Sequence, residues 1–169
     1  AVRVERLSIF CFDKERRYIH EEIGFKYPLT NIQAAIGLAQ MEYIEDIIKK
    51  KIEVAHTYNK LLRDVPGITL PYEADNVRNI YWMYGILIED EFGVSRDKLK
   101  ELLFKKGIET RFFFTGLHKQ PPFKTEGSFP VSDNLEKKGF YLPCSPHILP
   151  EQLEFVATSI KEVYDEHKQ

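Results

Sequence analysis

The sequence predicts an α+β domain, a small sheet backed by helices, and three observations carry that reading. Segments rich in aromatic and β-branched residues, 80–88 and 108–114, alternate with stretches of helical period. Helix-opening signals stand before those stretches: Thr30-Asn31-Ile32-Gln33, Ser95 and Pro150. A chain of 169 residues, 43% hydrophobic and 30% charged, is also long enough to bury one sizeable core without disulfides or metal.

Taken in order, residues 1–27 are dense in charge and aromatics and lack a sustained period. They read as an irregular lead-in with a short strand or helix around 4–12. The start, Ala1-Val2-Arg3-Val4, has no initiator methionine and no signal-peptide zoning, as expected of a processed protein or a piece of a longer one. Pro28 brings the chain in extended, and Thr30 with Gln33 makes a capping box. From Asn31 to about Arg63 only Gly37 disfavours helix, and Met41, Ile44, Ile48, Ile52, Ala55 and Leu62 form a single apolar stripe. The first turns differ: Ala34, Ala35, Ile36, Leu38 and Ala39 are small or apolar nearly all round, which predicts burial on several sides. As one helix the segment would be roughly 50 Å long, more than a compact domain of this size is wide. Something outside the segment is therefore expected to cover part of it. Val65-Pro66-Gly67 ends it.

Residues 80–88 read as a buried strand. Ser95 caps a helix with Leu99, Leu102 and Leu103 on its apolar side, closed by Gly107. Residues 108–114 alternate as the next strand. The stretch 115–130, with three prolines and two glycines, is a loop. A short helix over 132–138 stops at Gly139, and 140–143 is a short strand end. Pro150 opens the last helix, with Leu153, Val156, Ile160 and Val163 facing inward. There is no internal repeat and no low-complexity segment.

Several function classes are disfavoured. Twenty-four basic against 26 acidic residues, a net charge of -2, argue against a dedicated nucleic-acid binder. No apolar run approaches the ~18 to 20 residues of a membrane span. The two cysteines, Cys11 and Cys144, share no short spacing, so no disulfide framework or thiolate metal site is indicated, and a reducing cytosol fits. No glycine-rich phosphate loop, HExxH or nucleophile elbow occurs, and the five histidines are scattered without metal-ligand spacing.

Two places could carry chemistry. In IETRFFFTGLHKQPPF (108–123) a strand delivers Arg111 and then His118 into a proline-stiffened turn. An arginine at a strand end can grip a carboxylate or phosphate bidentately. A histidine framed by Gly116 and Pro121-Pro122 can be presented by a rigid loop. A surface cation and an ordinary loop residue are the plainer alternative. In IGFKYPLTNIQAAIGLAQ (23–40) Lys26 lies just outside a helix N-terminus, where the dipole and free N–H groups favour anions, so it could hold a phosphate. An exposed loop lysine is the alternative there.

Four segments together, IGFKYPLTNIQAAIGLAQMEYIED, NIYWMYGILIED, GIETRFFFTGLHKQPPF and FPVSDNLEKKGFYLPCSP, resemble the C-terminal part of the DegT/DnrJ/EryC1/StrS sugar aminotransferases. These are pyridoxal-phosphate enzymes of aminotransferase fold type I. The resemblance runs through essentially all of the chain, in order. It implies that 1–27 are the tail end of the large cofactor domain, 28–64 a long linking helix, and 65–169 the small C-terminal α+β domain. It implies a homodimer with active sites at the subunit boundary and the cofactor held mainly by the large domain. The family's Schiff-base lysine, the acid on the pyridine nitrogen and the ring-stacking aromatic would all lie upstream of Ala1, so no catalytic residue is assigned and the chain alone is expected to be inactive.

By the same resemblance, the segment matching 24–30 usually presents an Asn and often an Arg to the cofactor phosphate of the neighbouring subunit. Here Lys26 and Pro28 stand at those positions. A lysine can replace the Asn as a phosphate donor, whereas Pro28 cannot replace the Arg. His118 matches the family's histidine near the substrate, and Arg111 a basic position just before it. The implied reaction moves an amino group from glutamate to the keto group of a nucleotide-linked deoxysugar, in polysaccharide or glycan precursor synthesis. FKY with TGLHKQPPF looks closest to perosamine-synthase-like members. The expected location is the cytoplasm, with no nucleic acid, membrane or metal partner. Two alternatives stay open: a non-catalytic interaction module of the same fold, and a sugar dehydratase relative that uses the same cofactor.

Overall fold

The computed structural model describes residues 2–12, 15, 19–20 and 22–168; Ala1 and the remainder of the lead-in lie outside the described residues. The chain divides into two compact units, Ala1–Ile44 and Glu45–Gln169.

In the first unit α1 (Val2–Ser8) is followed by a return of the chain on itself. Phe25 donates its N–H to the Leu7 carbonyl at 2.7 Å and Tyr27 donates to Ser8 at 3.0 Å. Single bridges join Ile9 to Lys26 and Phe12 to His20. Cys11 is buried in this fold-back, with left-handed backbone at Phe10 (φ 66°) and Cys11 (φ 51°). The helix α2 (Asn31–Glu42) opens on the expected capping box: the Gln33 N–H donates to Thr30 Oγ1 at 3.2 Å and the Thr30 N–H to Gln33 Oε1 at 2.9 Å. None of its residues is buried.

The single long helix expected over 31–63 is interrupted. A turn at Tyr43 (φ -108°, ψ 7°) separates α2 from α3 (Ile44–Leu62), and its N–H reaches back to the Gln40 and Met41 carbonyls. Such tightening satisfies the orphan carbonyls of a helix end. No glycine or proline marks the break.

The second unit holds a four-stranded antiparallel sheet of order β1-β2-β4-β3: β1 Ile68–Thr69, β2 Tyr84–Ile88, β3 Arg111–Phe112 and β4 Gly139–Leu142. Between them run α4 (Arg96–Lys105) and α5 (Pro130–Lys138), and α6 (Pro150–His167) closes the chain. Tyr84, Ile86, Ile88, Phe140 and Leu142 point to one face of the sheet. There they meet Val54, Ala55, Tyr58 and Leu62 of α3, Leu99 and Leu103 of α4, and Leu153, Val156, Ile160 and Val163 of α6. The period-2 and period-3.6 patterns thus converge on one core, as the α+β reading requires.

Three strand readings change. The two-residue β1 was not foreseen. β2 begins at Tyr84, because residues 79–82 are committed elsewhere: Tyr81 is left-handed (φ 46°) and hydrogen-bonded to Asn79 and Glu73. β3 is shorter than 108–114, because its partner β4 starts at Gly139, so pairing runs out with the Phe113 N–H on the Gly139 carbonyl at 3.2 Å. The opposite sheet face carries Gly85, Tyr141 and Arg111 in one row across three strands. A Cβ at Gly85 would lie 2.6 Å from the Phe113 ring, so the missing side chain is what seats that ring, stacked on Tyr141 at 4.4 Å.

Candidate functional site

The loop leaving β3 is built as a braced platform. The Gly116 N–H donates to Glu136 Oε2 at 3.2 Å, and the tight turn Leu117–Lys119 follows. His118 lies face to face with Phe129 at 4.5 Å, and its Nε2 meets Asp133 Oδ1 at 2.9 Å. Lys119 reaches both Asp133, at 2.7 Å, and Glu136, at 2.9 Å. Arg96 of α4 donates to the Glu136 main-chain carbonyl. Asp133 and Glu136 are three residues apart on α5, so one helix face offers both carboxylates to the loop.

The electrostatics follow from these contacts. Lys119 and then His118 hold the Asp133 carboxyl below its usual range. Lys119 and then the Gly116 N–H do the same for Glu136. The two carboxylates in turn raise the Lys119 ammonium. Asp133 as acceptor selects the Nε2–H tautomer of His118. Its other nitrogen lies over Gly116, where an added Cβ would come within 2.8 Å of Nδ1. Only 14% of the His118 side chain is open to solvent. His118 is therefore first an anchor of the loop.

Arg111 and His118 are not brought together. Arg111 is exposed and lines a cavity of about 660 Å3 with Glu109, Ser145, His147, Gln152 and Phe155, and His118 takes no part in it. Among the described residues the Arg111 guanidinium has no hydrogen-bond or ion-pair partner, so it is free to meet an anion. Lys26, in the first unit, is exposed in the turn before α2, with its ammonium 5.9 Å from the centre of the Phe10 ring. That turn offers one cation suited to a phosphate and, with Pro28, no second one. The donor set fits a contact to a cofactor phosphate and not a complete cradle for it.

Asp133, Glu136 and Phe129 were not foreseen. The i,i+3 carboxylates of α5 were a readable signal; their approach to the loop was not, because it depends on tertiary placement. Among the described residues no group of His, Cys, Asp and Glu could hold a metal ion, and no helix is long and apolar enough to cross a membrane.

The chain is similar to known proteins over most of its length. The GDP-perosamine synthase of Escherichia coli O157:H7 is 36% identical over 152 residues, 89% of this chain and 41% of that protein. The Vibrio cholerae GDP-perosamine synthase is 32% identical over 153 residues, again 89% and 41%. The chain thus spans about four tenths of the length of these curated relatives. Among solved structures, the aminotransferase TlmJ from Streptoalloteichus hindustanus superposes with a TM-score of 0.84 at 19% identity, over 98% of this chain and 44% of that one, which speaks to fold. A DegT/DnrJ/EryC1/StrS aminotransferase from Brucella abortus gives 0.74 at 25% identity, over 98% and 43%. With the family model matching residues 1–161, the chain belongs to the DegT/DnrJ/EryC1/StrS aminotransferase family.

Proposed function

We propose that this chain is the C-terminal portion of a pyridoxal-phosphate-dependent sugar aminotransferase, which moves an amino group from glutamate to the keto group of a nucleotide-linked deoxysugar. The observation that carries the reading is the 36% identity to a GDP-perosamine synthase across 89% of the chain. It favours a GDP-linked sugar as substrate; a homodimeric enzyme and a cytoplasmic location are part of the same proposal. When bound, the cofactor supplies the carbonyl that takes up and hands on the amino group.

This chain's own residues bind and orient. Lys26 lends its ammonium to the cofactor phosphate, as one contact among others supplied from elsewhere. The small part of the His118 side chain left open to solvent contacts the sugar nucleotide, with the ring fixed by Asp133 and Phe129, and Arg111 offers a fork of donors to an anionic group of the substrate. No residue here stands in for the lysine that would move the proton between carbons, so the chain alone is inactive in this reading.

The test joins the 169 residues to their upstream sequence and follows glutamate-dependent amination of GDP- and dTDP-linked 4-keto sugars by mass spectrometry. Amination by the joined protein, with none by the short chain, is the expected result. No transfer to either sugar by a folded joined protein would overturn the reading.

A further inference from the structure

Beside the braced loop stands a second feature that none of the roles above uses. Trp82, the single tryptophan of the sequence, is 67% exposed. Its outward position is imposed by the residue before it. Tyr81 adopts φ 46°, a left-handed conformation that a bulky residue takes only when held there. Three hydrogen bonds hold it there: the Tyr81 N–H to Asn79 Oδ1 at 2.9 Å, the Asn79 N–H to Glu73 Oε1 at 2.7 Å, and the Tyr81 hydroxyl to Glu73 Oε2 at 2.8 Å. The Asn79 N–H and then the Tyr81 hydroxyl lower the Glu73 carboxyl, as expected of a working acceptor. The strain turns the Tyr81 ring into the core and Trp82 out of it.

Trp82 does not stand alone. Its ring lies nearly parallel to that of Phe114, at 16° and 6.4 Å between centroids, and Phe114 is itself 69% exposed. Phe114 leans on Tyr141 at 6.1 Å, and Tyr141 stacks on Phe113 at 4.4 Å over the space left by Gly85. The outer two rings are open and the inner two are fixed in the sheet. Arg111, without a partner among the described residues, is in register with Tyr141 on the same face. Open aromatic faces braced by rings fixed in the sheet match a planar base.

We propose that Trp82 and Phe114 are the base-stacking platform for the nucleoside diphosphate part of the substrate. The proposal rests on the nucleotide-sugar reading above and adds to it the two rings that recognise the base. Stacking on two such rings alone is weak, so the 169-residue chain should bind a free nucleoside diphosphate in about the millimolar range through these residues.

Because the chain has one tryptophan, its fluorescence reports Trp82 directly. Titration with GDP and with dTDP should give saturable quenching, while pyrophosphate, which lacks a base, should give little. Phe114→Ala should weaken nucleotide binding about fivefold or more, the loss of one stacking face, and Phe114→Tyr should restore it. Trp82→Ala, followed by equilibrium dialysis, should do the same; both rings are exposed, and an unchanged unfolding midpoint verifies the fold. Absence of saturable quenching, equal quenching by pyrophosphate, or unchanged dialysis of Trp82→Ala would overturn the proposal. So would quenching that vanishes once the upstream sequence is joined, since the rings would then cover a contact within the polypeptide. The two readings fail separately. A joined enzyme that aminates sugar nucleotides with unchanged KM in Trp82→Ala loses the platform and keeps the reaction. A chain that stacks nucleotides but yields no transferase loses the reaction and keeps the platform.

Discussion

At the scale of single residues, the loop carrying His118 is held by charges that respond to pH. Asp133 and Glu136 are pulled below their ordinary values of 3.8 and 4.5 by Lys119 and their other partners. A carboxylate depressed in the folded state contributes stability above its unfolded pKa and loses that contribution as pH falls through the folded one. The loop should therefore loosen in acid, below about pH 4. Asp133→Asn keeps the shape and removes the charge, so it should flatten the acid limb of a urea-unfolding series; an unchanged limb would show that the His118 and Lys119 pairs do not form in solution. In the joined enzyme His118→Ala should slow the sugar half-reaction more than the glutamate half-reaction, read by single-turnover kinetics. Equal loss in both would leave His118 as an anchor only. His118 was legible in the sequence because glycine and proline frame it, whereas its partners on α5 were not, since nothing local says that a helix after the loop folds back against it. The direction of Arg111 was likewise hidden. It is set by the register of β3 on β4, and a strand of two residues has no pattern of its own to fix that register.

At the scale of elements, legibility follows length and capping. α4 and α6 were readable because each repeats its apolar residues over several turns and begins on a clear signal, Ser95 or Pro150. Ser95 Oγ accepts the Lys98 N–H at 3.3 Å, and Ser95→Ala should cost about 1 kcal/mol, seen as a lowered thermal midpoint. No change would mean that core burial of Leu99 and Leu103 alone holds the helix. β1 escaped notice because two residues show no alternation. The Tyr43 turn escaped because Met41, Glu42 and Tyr43 carry no helix-breaking signal; the interruption lies where the pattern changes from the nearly all-round apolar start of α2 to the one-sided stripe of α3. Only the second part of that stripe reaches the core: Ala55 and Leu62 are buried, together with Val54 and Tyr58, which lie outside the stripe, and Met41 is 64% exposed. The expectation that the start of the helix is covered on several sides is not met within this chain.

At the scale of the whole molecule, that uncovered start has a consequence. α2 exposes Ile32, Ile36, Leu38 and Met41, with Tyr43 beside them, and has no buried residue at all. An isolated helix of 12 residues is marginal in water, because helix nucleation costs more than a few turns return. The capping box at Thr30 helps its first turn and does nothing for its apolar side chains. An exposed apolar patch beyond a few hundred Å2 normally marks an interaction surface, and here the helix has both an unpaid nucleation cost and such a patch. The 169-residue chain should therefore self-associate, with apparent mass rising above 19.9 kDa as concentration rises in a light-scattering dilution series. Replacing Ile36 and Leu38 together by glutamine, which keeps helix propensity and removes apolar surface, should shift that rise to higher concentration while leaving the core of the second unit and its unfolding midpoint intact. Joined to its upstream sequence, the chain should instead give one discrete oligomer, because the same side chains would gain a defined partner. A strictly monomeric short chain at high concentration, with the amides of residues 34–39 protected from exchange, would show that the helix is stable and soluble without any cover.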